Sequence, residues 1–217
     1  MIYVDKSCTL VLVGAWNPAI LNPNWITRNV FEVEPSVETE VLFEFSQTPG
    51  APPRITIHGV TFIPHADKLI LVTDQLAQER LQNVERLAAN ILNTLPHTPV
   101  KCFGQNIQFI EEMPTPDQIE LFTLQDDIAG RFDAQIEVSS TSIRRSLRLD
   151  GRLLNLTCTL DASGSILFDF NFHYDVESAE EASRELNDTY YNNINRAVAL
   201  LDSYGFTVDD MEALPNG

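Results

Sequence analysis

Ten residues, Ile166 to Asp175, read ILFDFNFHYD: Ile166, Phe168, Phe170, Phe172 and Tyr174 alternate with Leu167, Asp169, Asn171, His173 and Asp175. Strict period-two alternation of large apolar and polar side chains specifies a β-strand buried on one face only. Upstream, Asp150-Gly151 joins two similar runs, Ile143–Leu149 and Arg152–Leu160. Asp-Gly tolerates the positive φ of a two-residue hairpin turn, so it pairs Leu149 with Arg152. Leu147 then faces Leu154, and Ile143 faces Cys158. If Leu160 meets Ile166 around the DASGS loop, Leu154 meets Phe172, Leu156 meets Phe170 and Cys158 meets Phe168. A one-residue slip would set the phenylalanines against asparagine and threonine, so the apolar pattern selects this register. Arg145 is the misfit, since parity points it inward beside Leu156; a bulge or an acidic partner would relieve it.

The same plan recurs along the chain. The opening MIYVDKSCTLVLVGAW, interrupted by Asp5 and Lys6, reads as an N-terminal strand rather than a signal peptide. Asn17-Pro18 and Asn22-Pro23 each place a capping amide before a residue with helix-ready φ, giving helical turns up to Phe31. A strand follows at Val41–Phe45, and PGAPP punctuates residues 49–53. RITIHGVTFIPHADKLILVTD reads as two strands joined at Pro64–Asp67. They feed a helix from Gln75 to Leu95, capped by Asp74, with a stripe of Leu76, Val84, Leu87, Ala88, Ile91, Leu92 and Leu95. Lys101–Ile110 is a strand, and PTPDQIELF a short helix begun by Pro116. Phe132, Ala134, Ile136 and Val138 alternate as a strand that SSTS bends. After Tyr174 one long helix, 178–204, opens on a Ser178/Glu181 capping box and ends before Gly205.

These elements predict an α+β fold of two meander-plus-long-helix halves, a pseudo-duplication, in which helices cover one face of an antiparallel sheet. Residues 1–217 are expected to form a single compact domain with sub-halves 1–110 and 111–217.

Charge narrows the partners. The chain carries a net −17, with 7 Lys/Arg against 10 Asp/Glu in residues 1–110 and 7 against 21, without a lysine, in residues 111–217. Such a field repels nucleic acid and anionic lipid and favours solubility or a basic partner; a protein partner or self-association is expected. No apolar run reaches the roughly 18 residues of a membrane span. Cys8, Cys102 and Cys158 are odd in number and far apart, without zinc spacing, and read as buried thiols of a cytoplasmic protein. No P-loop, GxGxxG or GxSxG occurs. TVDDMEALPNG lacks the ligand spacing of a calcium loop and reads as a solvating end.

The register puts Arg144, Thr157 and Asp169 in one row of the polar face, and Arg148, Leu153 and His173 in another. Asp169, His173 and Asp175 share one strand face, but His173 stands four residues from Asp169 and the facing arginines oppose a cation. No metal, cofactor or catalytic residue is therefore assigned. The preferred reading is a non-enzymatic cytosolic accessory, regulatory or inhibitory protein that works through protein–protein contacts. Its candidate contact residues are Arg144, Arg148, Asn155, Asn171 and His173. One alternative is an enzyme or small-ligand binder with a polar cleft between the halves, where His58 and His173 would converge. The other is an acidic mimic of nucleic acid, which rests on charge alone.

Overall fold

The computed structural model describes residues 1–4, 6–34, 38–45, 51–73, 75–121 and 138–208. In chain order the elements are β1 (Ile2–Tyr3), β2 (Thr9–Gly14), α1 (Pro23–Asn29), β3 (Val41–Glu44), β4 (Arg54–Ile57), β5 (Val60–Pro64), β6 (Lys68–Thr73), α2 (Gln78–Thr94), β7 (Val100–Glu111) and α3 (Pro116–Glu120). They continue with β8 (Ser140–Leu149), β9 (Arg152–Asp161), β10 (Ile166–Asp175), α4 (Ala179–Glu185) and α5 (Thr189–Ser203). Among the described residues the strands form one antiparallel sheet in the order β3-β4-β5-β6-β2-β7-β10-β9-β8, with β1 added against β7. The fold is α+β, as the pattern requires.

The hairpin register follows the hydrophobic pattern. Leu149 faces Arg152, Leu147 faces Leu154 and Ile143 faces Cys158. Ile166, Phe168, Phe170 and Phe172 face Leu160, Cys158, Leu156 and Leu154 in turn. The β10 aromatics and Leu154, Leu156 and Cys158 are buried, together with Leu10, Leu12, Phe62, Leu71, Phe103 and Phe109 on neighbouring strands. Over this face lie the apolar stripes of α2 and α5, including Leu81, Val84, Ala88, Ile194, Ala197 and Leu201. Asn22 caps α1 by accepting from the Trp25 amide at 3.1 Å, and Thr115 with Gln118 forms a full capping box on α3. Gly205 takes φ +79 just past α5, which turns Phe206 back under the sheet against Phe168 at 4.8 Å.

Several expectations are corrected. The opening segment is two strands, not one. Lys6 adopts φ +57 between β1 and β2, which lie along the same side of β7. Residues 54–73 hold three strands rather than two, because His58-Gly59, at φ +48 and +78, makes a second two-residue turn. Ser140–Ser142 continue β8 instead of bending it, while Phe132, Ala134 and Ile136 lie outside the described residues. Arg145 needs no bulge: the β8–β9 register is continuous, and its Nη1 donates to the Tyr204 hydroxyl at 3.1 Å.

The helices differ too. The first long helix starts at Gln78 with Ala77 at its N-cap, and Asp74 lies outside the described residues. The last helix is broken. Leu186–Asp188 separate α4 from α5, and Asp188 sits at φ +54, a conformation that Asp tolerates better than most residues. Ser178 accepts from the Glu181 amide at 3.1 Å, but the Glu181 carboxylate reaches past the cap to the Glu177 amide at 2.6 Å. The two expected sub-halves do not repeat one plan, since the strand before the second short helix, β7, belongs to the first of them. They differ in count, with four strands and one covering helix in the first meander against three described strands and two helices in the second.

Candidate functional site

The described helices α2 and α5 lie on one face of the sheet, and on the other face the chemistry changes across the sheet. On β5, β6 and β2 it is aliphatic, with Ile63, Ile70, Val72, Val11 and Val13 half-buried; from β7 to β8 it is mostly polar. The expected polar face is therefore only half of the surface, because on β2 and β6 both strand faces carry Val, Ile or Leu.

At one end of the polar half, Arg148 of β8, Leu153 of β9, His173 of β10 and Gly104 of β7 form a single cross-strand row. The first three line a cavity of about 320 Å³ beside the Asp150-Gly151 turn, together with Arg152, Asp175 and Glu181. His173 Nε2 lies 3.0 Å from Asp175 Oδ1. Arg152 bridges to Glu185 at 2.8 Å and stacks its guanidinium 4.7 Å over the Tyr174 ring. Glu181 is engaged by the Glu177 amide. The carboxylates on the wall thus have donors, whereas Arg148 has no ion pair among the described residues. This leaves the Arg148 guanidinium, beside Leu153, as a cation on the wall without an ion pair among the described residues and able to grip a carboxylate.

The next row is an amide ladder. Ser146 Oγ donates to Asn155 Oδ1 at 2.8 Å, and Asn155 Nδ2 to Asn171 Oδ1 at 3.0 Å. Asn171 Nδ2 donates to Asn106 Oδ1 at 2.7 Å, and Asn106 Nδ2 to Thr9 Oγ1 at 2.9 Å. Every donor points from β8 toward β2, so five strands are tied in register by one polarised chain. Gly104 makes room for it, since a Cβ there would come 2.9 Å from Asn171 Nδ2. Asn171→Ala removes two of these bonds. Because the groups left behind are half-exposed and regain water, the expected loss is about 1–2 kcal/mol in urea unfolding; an unchanged midpoint would show the ladder to be passive.

The five candidate residues therefore separate. Arg148 and His173 meet at the cavity, and Asn155 and Asn171 bond to each other in the ladder. Arg144 stands apart beside Thr157, four residues or about 13 Å along β8 from Arg148. Asp169 joins Gln108 and Thr157, two residues from the amide row and away from His173. Among the described residues no three His, Cys, Asp or Glu side chains group as metal ligands. His58 lies in the β4–β5 turn, edge-on to Phe31 at 5.6 Å. Three strands separate β5 from β10, so His58 and His173 stand about 19 Å apart across the sheet and do not converge.

Sequence reasoning missed a buried polar cluster on the covered face. Glu85 of α2 is 4% exposed, with Gln105 and Asn193 buried beside it. Glu85 Oε1 accepts from Thr189 Oγ1 at 2.8 Å, the Tyr190 amide at 2.8 Å and Gln105 Nε2 at 3.2 Å. Gln105 Oε1 in turn accepts from Asn193 Nδ2 at 2.6 Å. Burial pushes the Glu85 carboxyl above the usual carboxylate range, against the hydrogen bonds that favour its ionised form. Burial also raises the thiols, Cys8 to about 12 and Cys158 to about 11, so both stay protonated and poorly nucleophilic at neutral pH.

No protein-family model matches the chain, and no curated protein is similar to it at a significant level.

Proposed function

We propose that this is a non-enzymatic accessory protein that works in the cytosol through protein–protein contacts. Its docking surface is the polar sheet face opposite α2 and α5, with the Arg148–Leu153–His173 row anchoring a carboxylate of the partner. The observation that supports this reading is the cavity in which the acidic wall residues already have donors, while Arg148 has no carboxylate partner among the described residues. A bidentate guanidinium–carboxylate contact fixes orientation as well as charge, which suits an acidic side chain or a C-terminal carboxylate. The neutral hydrogen-bonded amides beside it neither titrate nor attack, so they offer recognition rather than chemistry. The protonated thiols favour the same reading, and among the described residues no helix is long and apolar enough to cross a membrane.

The test is photocrosslinking in cells from a benzophenone amino acid at Thr157, on the docking face, against one at Glu180, on exposed α4. A discrete adduct from Thr157 alone, weakened about tenfold or more by Arg148→Glu, is expected. An adduct indifferent to Arg148→Glu, or none from Thr157, overturns the reading.

A further inference from the structure

Among the described residues the sheet has two edges, β3 and β8. Every neighbouring pair along the path between them is antiparallel. Eight such steps separate β3 from β8, so the two edge strands point the same way. Both are open to solvent: Arg144, Arg145, Leu147 and Arg148 are exposed on β8, and Leu42, Phe43 and Glu44 on β3. An open edge is a template for a further strand unless proline, a bulge or charge blunts it. Neither edge holds a proline, and the pairing of each with its inner neighbour is continuous. Charge is present, but with opposite sign at the two ends. β8 carries three arginines and no acidic residue, whereas residues 38–45 carry Glu38, Glu40 and Glu44 and no basic one.

The charges match in spacing as well as in sign. Arg144 and Arg148 share the polar face, beside Thr157 and Leu153, and stand four residues or about 13 Å apart. On β3, Leu42 and Glu44 pair with Thr56 and Arg54, on the face opposite the buried Ile55 and Ile57. Alternation carries Glu40 to that same polar face, again four residues from Glu44. Because the edges are parallel, a second copy set beside β8 in the same orientation presents its β3 with the polar faces level. One register then places Glu40 against Arg144 and Glu44 against Arg148. The same register sets Phe43, 41% exposed, against Leu147, 39% exposed, on the helix-bearing face. The apolar layer thus runs on from one copy into the next. None of the four charged side chains has an ion pair among the described residues. Pairing like edges instead would crowd arginines on arginines or glutamates on glutamates.

We infer that a second copy of this chain is a partner, adding its β3 in parallel to β8 and continuing the sheet head to tail. The inference rests on the reading of Arg148 as a carboxylate anchor and names the carboxylate, Glu44 of the next copy, with Arg144 holding Glu40. The contact is heterologous. It leaves a free β3 at one end and a free β8 at the other, so it adds further copies rather than closing a dimer. β3 is only four residues long, so the contact is small and the association weak and reversible. Its ion pairs lie at the surface, so salt weakens it further.

Sedimentation velocity of the purified full chain, from about 10 μM to about 1 mM, tests this. The mass is expected to rise past the dimer with concentration and to fall back toward the monomer in about 1 M salt. Arg144→Glu with Arg148→Glu makes both edges acidic; Glu40→Arg with Glu44→Arg makes both basic. Each double variant is expected to associate at least about tenfold more weakly than the parent, and an equimolar mixture of the two to regain the parent's association. Cysteine pairs read the register and decide if a charge variant fails to fold. Leu42→Cys on one copy meets Ser146→Cys on the next at about 5 Å, within reach of a disulfide, whereas Ser142→Cys stands four residues out of register and is expected not to link. A chain monomeric throughout, no recovery on mixing, or Leu42→Cys linking as readily to Ser142→Cys overturns the inference. So does Ser146→Cys linking to itself as readily as to Leu42→Cys, the mark of like-edge pairing. No other protein is present, so a negative result strikes self-association alone, and the cellular adduct from Thr157 decides the docking face separately.

Discussion

Phe170→Ala lowers the free energy of unfolding by about 3–5 kcal/mol, the range for emptying a fully buried aromatic site. Phe170 is 0% exposed, and its neighbours leave little room to collapse. It stands opposite Leu156 on β9 and Ile107 on β7, edge-on to Phe109 at 6.1 Å and stacked with Phe172 at 6.5 Å. Each neighbour is held by its own strand pairing, so the cavity persists. A domain has only about 5–15 kcal/mol in total, and the variant is expected to sit near the threshold of folding. The measurement is the urea midpoint at constant m-value, with Phe45→Ala as reference. Phe45 is 77% exposed, and its loss is expected to stay within about 0.5 kcal/mol. A Phe170→Ala cost no larger than that of Phe45→Ala would mean that β10 does not carry the core.

That test works because the strand was legible. Strict alternation over ILFDFNFHYD, together with a turn whose φ requirement only a few dipeptides meet, gives the face of each strand residue and, once Leu160 is set against Ile166, the partners within β8, β9 and β10 as far as His173. His58-Gly59 makes a similar turn but is harder to read, because histidine reaches positive φ less often than asparagine or glycine. The break at Asn187-Asp188 was hidden by helical periodicity. Leu186, Ile194, Ala197 and Leu201 keep their spacing across it, and a single left-handed Asp resets the axis without disturbing the apolar stripe.

The site was legible only in part. Register arithmetic placed Arg148 beside His173 and Asn155 beside Asn171, because neighbours on paired strands follow from the turn alone. It could not show that Asp175 turns back onto His173, since that depends on rotamers. The Glu85 cluster does leave a trace in the sequence. Glu85 falls at helical spacing between Leu81 and Ala88, and Gln105 shares parity with Phe103 and Ile107. Polar residues at inward positions mark a place where the core bonds to itself rather than merely packs. What they bond to comes from α5, more than 80 residues away in sequence, and local pattern carries no such information.

The second large effect concerns alkali. Cys8 is fully buried, and its thiol, whose Sγ lies 3.0 Å from the Tyr190 hydroxyl, is raised from 9.0 to about 12 by burial, which outweighs the opposing hydrogen bond. Below pH 9 the thiol is protonated in both folded and unfolded chains, and its contribution does not vary with pH. Above pH 9 the unfolded chain releases the proton while the folded chain keeps it. The folded state then binds more protons, and stability falls with rising pH until the folded pKa near 12 is passed. With the unfolded thiol half ionised at pH 9 and the limiting slope about 1.4 kcal/mol per pH unit, Cys8 alone removes roughly 2 kcal/mol between pH 9 and pH 11. Tyr190, raised well above 10 by its own burial, adds to the fall in the upper part of that window. Urea midpoints under reducing conditions at pH 7, 9, 10 and 11 measure the slope. Cys8→Ala is expected to start less stable, through lost packing, yet to decline more shallowly, so that its deficit against the parent narrows by roughly 2 kcal/mol across the window. Parallel curves for parent and Cys8→Ala would mean that the thiol is not buried against Tyr190 when the chain is folded.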